Sequence, residues 1–222
     1  MRATALIVFL SALTLSSTGH ASEPLDPAKG SEIGTVVEGF LTPQQEPGEE
    51  KDAPSVIPDA LKSKGPMRLR AERTGRGHAR VRFTKDLSRA YVDVKLENIP
   101  SRDVVMFHIH CGRPDMLGPI IVDFGHFDDL PAKLIDGTYS FEVTNTVIER
   151  TAAAGHGLLA LLTAGCPVDP ANVVLFGKVK TVAGMEYIAR KGELYLNLHT
   201  KGQMFYGDIR GQLIPVAKER SP

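Results

Sequence analysis

From Pro66 onward the chain is written in short runs of alternating apolar and polar residues. Val81 and Phe83 alternate with Arg80, Arg82 and Thr84, and Val92, Val94 and Leu96 alternate with Asp93 and Lys95. Val104–Cys111, Ile120–Phe124, Thr138–Val143, Leu194–Thr200 and Tyr206–Ile214 follow, separated by clusters of Gly, Pro, Asn and Asp. A period of two gathers apolar side chains on one side only if the backbone is extended. Strands this short and this regularly punctuated predict an all-β domain, an antiparallel Greek-key sandwich or barrel. Two stretches depart from the period and predict one or two short helical inserts. Val147–Ala164 is rich in Ala and Leu, although Gly155 and Gly157 weaken it as a helix, and Met185–Lys191 reads as a helical turn. The β domain is expected over residues 66–216, with a tail at 217–222.

The residues before it differ in kind. Arg2, the apolar run Ala3–Leu15 and the small residues of Gly19-His20-Ala21 read as a secretory signal peptide, residues 1–21, cut after Ala21. The apolar run is shorter than the roughly 20 residues a membrane span needs, so no span is expected in the mature chain. Residues 22–65 hold six prolines and nine acids against four bases. Such a stretch offers little apolar surface to offset its ordering entropy, and the expectation is a flexible acidic arm. Ile33–Leu41 is its one apolar cluster, open to being an edge strand or a docking peptide.

Export fixes how the cysteines are read. Cys111 and Cys166 are the only two. In an oxidising compartment the default is a disulfide, worth roughly 4 kcal/mol in the chain-entropy model; a metal-ligand cysteine and two buried thiols are the alternatives. Lys and Arg together equal Asp and Glu together, 26 against 26, which excludes a nucleic-acid binder built on bulk positive charge. No Gly-x-Ser-x-Gly, P-loop or Rossmann glycine run occurs.

The histidines carry the chemistry that remains. Met106, His108 and His110 share one face of Val104–Cys111, opposite Val105, Phe107, Ile109 and Cys111. Tyr195, Asn197 and His199 share the corresponding face of the late strand, opposite Leu194, Leu196 and Leu198. If the two strands are neighbours, three imidazoles meet on an outer face. Three His with an open position suit Zn²⁺, and imidazole also suits copper. His126, in Gly125-His126-Phe127, is a candidate fourth ligand. Asn197, Asp208 and Arg210 are candidates to support the ligands, with Arg210 and Asp208 expected to pair with each other or to bond His199. A His-x-His strand whose imidazoles only bond backbone is the competing reading. His78 and His156 have no evident partner.

His108-Ile109-His110-Cys111-Gly112, Gly118-Pro119-Ile120-Ile121-Val122, Leu196-Asn197-Leu198-His199-Thr200 and Gly207-Asp208-Ile209-Arg210-Gly211-Gln212-Leu213 together resemble the chordin-type (CHRD) domain. Asp208 stands where that family usually has Glu. The resemblance covers about residues 66–216 and implies an extracytoplasmic β domain, secreted or periplasmic, acting as a non-enzymatic binding module. Its ligand would be an unknown extracellular protein partner, as in chordin, or a metal ion. A weaker similarity is to copper/zinc superoxide dismutase, in which a His-x-His strand and a late-strand His bind copper. It implies a copper oxidoreductase as the alternative. The zinc-ligand run of the dismutase is missing, only His126 stands for its bridging His, and only Arg113 and Arg210 are available to guide an anion.

Overall fold

The computed structural model describes residues 25–154, Cys166 and residues 178–216. The expected signal peptide, the tail at 217–222, His20, His156 and the later part of Val147–Ala164 lie outside these. The alternating runs are strands: β1 (Ile33–Leu41), β2 (Arg76–Thr84), β3 (Ala90–Glu97), β4 (Val104–Cys111), β5 (Ile120–Asp123), β6 (Thr138–Val143), β7 (Leu194–Thr200) and β8 (Ile209–Pro215). They pair antiparallel throughout, in the order β5-β4-β7-β8-β1-β2-β3-β6. The sheet curls until its ends approach. Phe107 on β4 and Tyr139 on β6 come from opposite ends of that order, yet their rings lie 6.0 Å apart, with Phe124 packed against both. The result is a nearly closed, barrel-like all-β domain, as the periodicity predicts.

The inward face collects one residue in two. Ala79, Val81 and Phe83 of β2, Val92 of β3, Phe107 and Ile109 of β4, the three leucines of β7 and Ile209 and Leu213 of β8 are all buried. The outward faces of β1, β2, β3 and β6 carry cross-strand ion pairs, Glu38–Arg80, Arg82–Asp93 and Arg89–Glu142. These are exposed and contribute little each.

One expectation is overturned. Ile33–Leu41 is neither part of a flexible arm nor an edge strand. It is β1, in the interior of the strand order between β2 and β8, with Val37 and Leu41 fully buried. Gly39 makes the close approach possible, since a Cβ there would sit 2.4 Å from the Gln212 carbonyl oxygen of β8. The segment between β1 and β2 is not an arm either. It forms four short 3-10 turns, Pro43–Gln45, Glu50–Asp52, Asp59–Leu61 and Arg70–Glu72. It is anchored to the loop between β7 and β8: Lys64 N–H donates to the Lys201 carbonyl, Gln203 Nε2 to the Arg68 carbonyl, and Arg73 Nη1 to the Gly207 and Asp208 carbonyls. Composition misleads here because a few polar residues, Gln45 and Glu50 among them, bond backbone of the barrel while most of the rest face water. The ordered unit therefore begins well before residue 66.

The helices are short. α1 (Leu130–Lys133) is a single turn, α2 (Asn145–Ala153) starts two residues before the expected insert, and α3 (Val182–Arg190) is longer than the predicted turn. Thr181 caps α3, its Oγ1 accepting from Gly184 N–H. Cys111 at the end of β4 is bonded to Cys166, with Cα atoms 5.9 Å apart and a sequence separation of 55. Of the three readings of the cysteines, the disulfide is the one found. Among the described residues no helix is long and apolar enough to cross a membrane.

Candidate metal centre

β4 and β7 are neighbours, and their register sets Met106 opposite His199, His108 opposite Asn197 and His110 opposite Tyr195. Both strands turn their aliphatic side chains into the barrel, so both must turn their polar set the other way. The three imidazoles meet there. His108 and His110 have ring centroids 5.2 Å apart, and His108 and His199 5.3 Å. One ring nitrogen from each lies within 4.8 Å of the others. Bonds of about 2.0–2.1 Å to one ion would hold three nitrogens near 3.5 Å apart, a closure of about an ångström.

The opposite ring nitrogens are already engaged. His110 Nδ1 donates to the Gly118 carbonyl at 2.8 Å and His199 Nδ1 to the Met204 carbonyl at 2.9 Å. A carbonyl only accepts, so the proton sits on Nδ1 and Nε2 keeps its lone pair. His108 Nε2 lies 3.4 Å from the Asp123 carboxylate. The atoms left without a partner are His108 Nδ1, His110 Nε2 and His199 Nε2. Rings held from behind by carbonyls and a carboxylate are the usual support of metal-bound imidazoles.

The face is not exposed, contrary to the expectation of an outer surface. His108, His110 and His199 are 3%, 8% and 5% exposed. The loops beyond the face close over it. Glu50 is central to this closure: its carboxylate accepts from the backbone N–H groups of Met204, Phe205 and Tyr206 and from Ser63 Oγ. It thereby fixes the Met204 carbonyl that aims His199. Burial has an electrostatic consequence. It holds His110 well below the ordinary imidazole range, with the neighbouring His108 adding to the effect, and lowers His199 to about 3 for the same two reasons. Both rings are therefore neutral near pH 7, the form that binds metal.

The candidate supporting residues divide. Arg210 neither pairs with Asp208 nor bonds His199. It lies 3.5 Å over the Tyr195 ring and donates to the Met116 and Arg113 carbonyls. Tyr195 in turn stacks on His110, centroids 4.8 Å apart and planes 2° from parallel, and its hydroxyl accepts from Gly118 N–H. Arg210 thus holds the 113–118 loop whose Gly118 carbonyl orients His110. Gly118 must be glycine, since a Cβ would meet the Cys111 carbonyl oxygen. Asp208 accepts from Thr200 Oγ1 and lies 3.9 Å from Arg73 and 3.7 Å from Arg68. Asn197 donates to the Tyr206 carbonyl and touches none of the three rings through that bond. His126 is exposed, packs edge-on against Phe127 and is not part of the group. Arg113 contributes only its carbonyl. His78 stacks on Phe40 far from this face in the strand order.

Several contributors escape a reading of spacing alone. Asp123 is brought to His108 by the β4–β5 pairing. Glu46 and Glu50 belong to the segment taken for an arm, and Arg73 to the start of the expected β domain ahead of its first alternating run. Glu46 is buried, which pushes its carboxyl well above the usual range against the pull of Arg210 and Arg73.

What this arrangement offers chemically is three imidazole nitrogens within 4.8 Å of one another. A family profile described as the CHRD domain matches residues 61–213. Among curated proteins nothing matches, and none of the solved structures does.

Proposed function

The chain belongs to the CHRD-domain family, and on that premise we propose that it is an extracytoplasmic, non-enzymatic binding module that holds one copper or zinc ion between His108, His110 and His199. The observation that carries this reading is the set of three buried, unpartnered ring nitrogens whose partner nitrogens are already bonded. Buried polar atoms without partners are uncommon in folded proteins, and one cation would satisfy all three. Export is supported by the basic and apolar start of the sequence and by the Cys111–Cys166 bond. A dismutase-type oxidoreductase is less well supported, because a turnover site needs a coordination position that substrate can reach, and these imidazoles are sealed.

Elemental analysis of the exported chain tests the proposal. One equivalent of copper or zinc is expected, falling to none in His199→Ala. Because His199 is buried, that variant also leaves the Met204 carbonyl unpaired, a cost of about 1–3 kcal/mol that a thermal melt will register without abolishing the fold. A chain that takes up no metal when supplied with either ion would leave only the chordin-like role, recognition of a protein partner.

A further inference from the structure

We infer that the ion suited to this site is monovalent copper, Cu⁺, in preference to Zn²⁺ or Cu²⁺. The inference rests on the metal-binding reading above and narrows it to one chemical species. Two observations, coordination number and charge, point the same way.

The first is the number of donors. Among the described residues the converging group consists of three imidazoles, with no carboxylate and no thiolate in it. Zn²⁺ completes a tetrahedron, and in three-histidine sites the fourth ligand is water or substrate. Cu²⁺ prefers a tetragonal set of nitrogen and oxygen donors. A water in the fourth position needs room and polar partners of its own, and the three rings are at most 8% exposed. Closed-shell Cu⁺ is satisfied by three donors. Met106 lies opposite His199 in the register, on the strand face that carries His108.

The second is charge. An imidazole binds metal in its neutral form, so the three donors bring no negative charge to a bound ion. Among the described residues two charged groups face them: the Asp123 carboxylate, 3.4 Å from His108 Nε2, and the Arg210 guanidinium, stacked on the Tyr195 ring that also stacks on His110. Their charges are opposite, so together they offset little of a bound cation. Among the described residues Arg210 has no ion-pair partner, only carbonyls and the Gln212 side chain. An ion here keeps its charge in a place withdrawn from water. The desolvation cost of a buried charge grows with the square of that charge, so one positive charge is tolerated far better than two. A site of this kind retains its ion and resists oxidation of it. It suits a protein that carries or stores reduced copper outside the cytoplasm.

The test is a competition on the metal-free full chain under nitrogen, with ascorbate-reduced copper and the chromophoric Cu⁺ chelator bicinchoninate. One equivalent of Cu⁺ should pass from chelator to protein. Subsequent addition of Zn²⁺ in about tenfold excess should release none of it, and the copper absorption edge should be that of three-coordinate Cu⁺ with nitrogen donors. His108→Ala should abolish the transfer. Release of Cu⁺ by Zn²⁺, or rapid conversion in air to a Cu²⁺ signal in electron paramagnetic resonance, would overturn the preference for Cu⁺ while leaving a metal site in place. Failure to bind Cu⁺, Cu²⁺ or Zn²⁺ would overturn the metal-binding reading itself.

Discussion

A chain starting at residue 66 is expected not to fold. It lacks β1, and β1 is an interior strand. Eight residues of β1 are in register with β2, from Ile33 opposite Thr84 to Leu41 opposite Gly77. On its other side Val37 and Glu38 face Pro215 and Ile214 of β8. Removing it opens two edges at once and leaves backbone groups of β2 and β8 unpaired. It also takes two fully buried side chains, Val37 and Leu41, from the core, each worth about 1.5–3 kcal/mol of burial. Glu50 goes as well, and with it the acceptor for three successive N–H groups of the 204–206 loop. The two side chains alone account for about 3–6 kcal/mol, and with the lost strand pairing and Glu50 contacts the loss is comparable with the roughly 5–15 kcal/mol by which a domain is stable. The measurement is a urea melt followed by circular dichroism. The chain from residue 25 should unfold in one cooperative step, and the chain from residue 66 should show none. A cooperative melt of the shorter chain would mean that β1 is an accessory strand after all.

That error in the boundary shows where a sequence stops being legible. The strands after residue 66 are visible because both halves of each alternation are strongly marked, as in Leu194-Tyr195-Leu196-Asn197-Leu198-His199. In β1 the inward positions include Gly39, which is there for the approach of β8 and reads as a break. Its flanks are acidic and Pro-rich, the signature of a disordered linker, yet Glu46 and Glu50 are buried and Glu50 bonds backbone. Composition records how polar a segment is and not whether its polar groups find partners inside the protein.

The site was legible to a similar depth. Alternation places His108, His110 and His199 away from the aliphatic core, and the neighbouring of β4 and β7 brings them together. Alternation does not reveal that loops cover the far face, and so an outer surface proves to be a second, polar interior. Nor does it reveal Asp123 behind His108 or the carbonyls of Gly118 and Met204 behind the other rings. Those depend on loop conformation and strand register, which no local pattern encodes. Arg210 illustrates the limit. Its motif marks it as special, but its partners are carbonyls of the 113–118 loop, nearly a hundred residues away.

The covered face should make the metal-free protein sensitive to acid in a shape that can be computed by sign. His110 and His199 have folded-state pKa values below the ordinary 6.5, the latter about 3. Below pH 6.5 the unfolded chain binds protons at both rings and the folded chain does not. Stability therefore falls as pH drops through this window, by up to about 1.4 kcal/mol per pH unit for each ring. Glu46 acts oppositely. Its folded pKa lies well above 4.5, chiefly through burial, so above pH 4.5 the folded chain holds a proton that the unfolded chain has lost. Its contribution is complete below 4.5 and declines as pH rises towards the folded value. Below pH 6.5 the rings lower stability as pH falls, and Glu46 opposes them wherever it is protonated in the folded chain alone. Below 4.5 Glu46 is protonated in both states and its opposition ends, so the slope should steepen until His199 titrates near 3. Exposed carboxylates held low by neighbours, such as Asp86 and Glu32, add in the same direction below 4.5, weakly because solvent screens them. Glu46 alone among these groups lowers stability as pH rises, until its folded value is passed. Urea midpoints for wild type and Glu46→Gln across pH 4 to 8 separate the contributions. The variant should lose the opposing contribution of Glu46 and so show a steeper loss of stability as pH falls from 6.5 towards 4.5. Equal stability of the wild type at pH 5 and pH 7 would mean that these rings pick up protons in the folded state, and hence that the face carrying them is open to water.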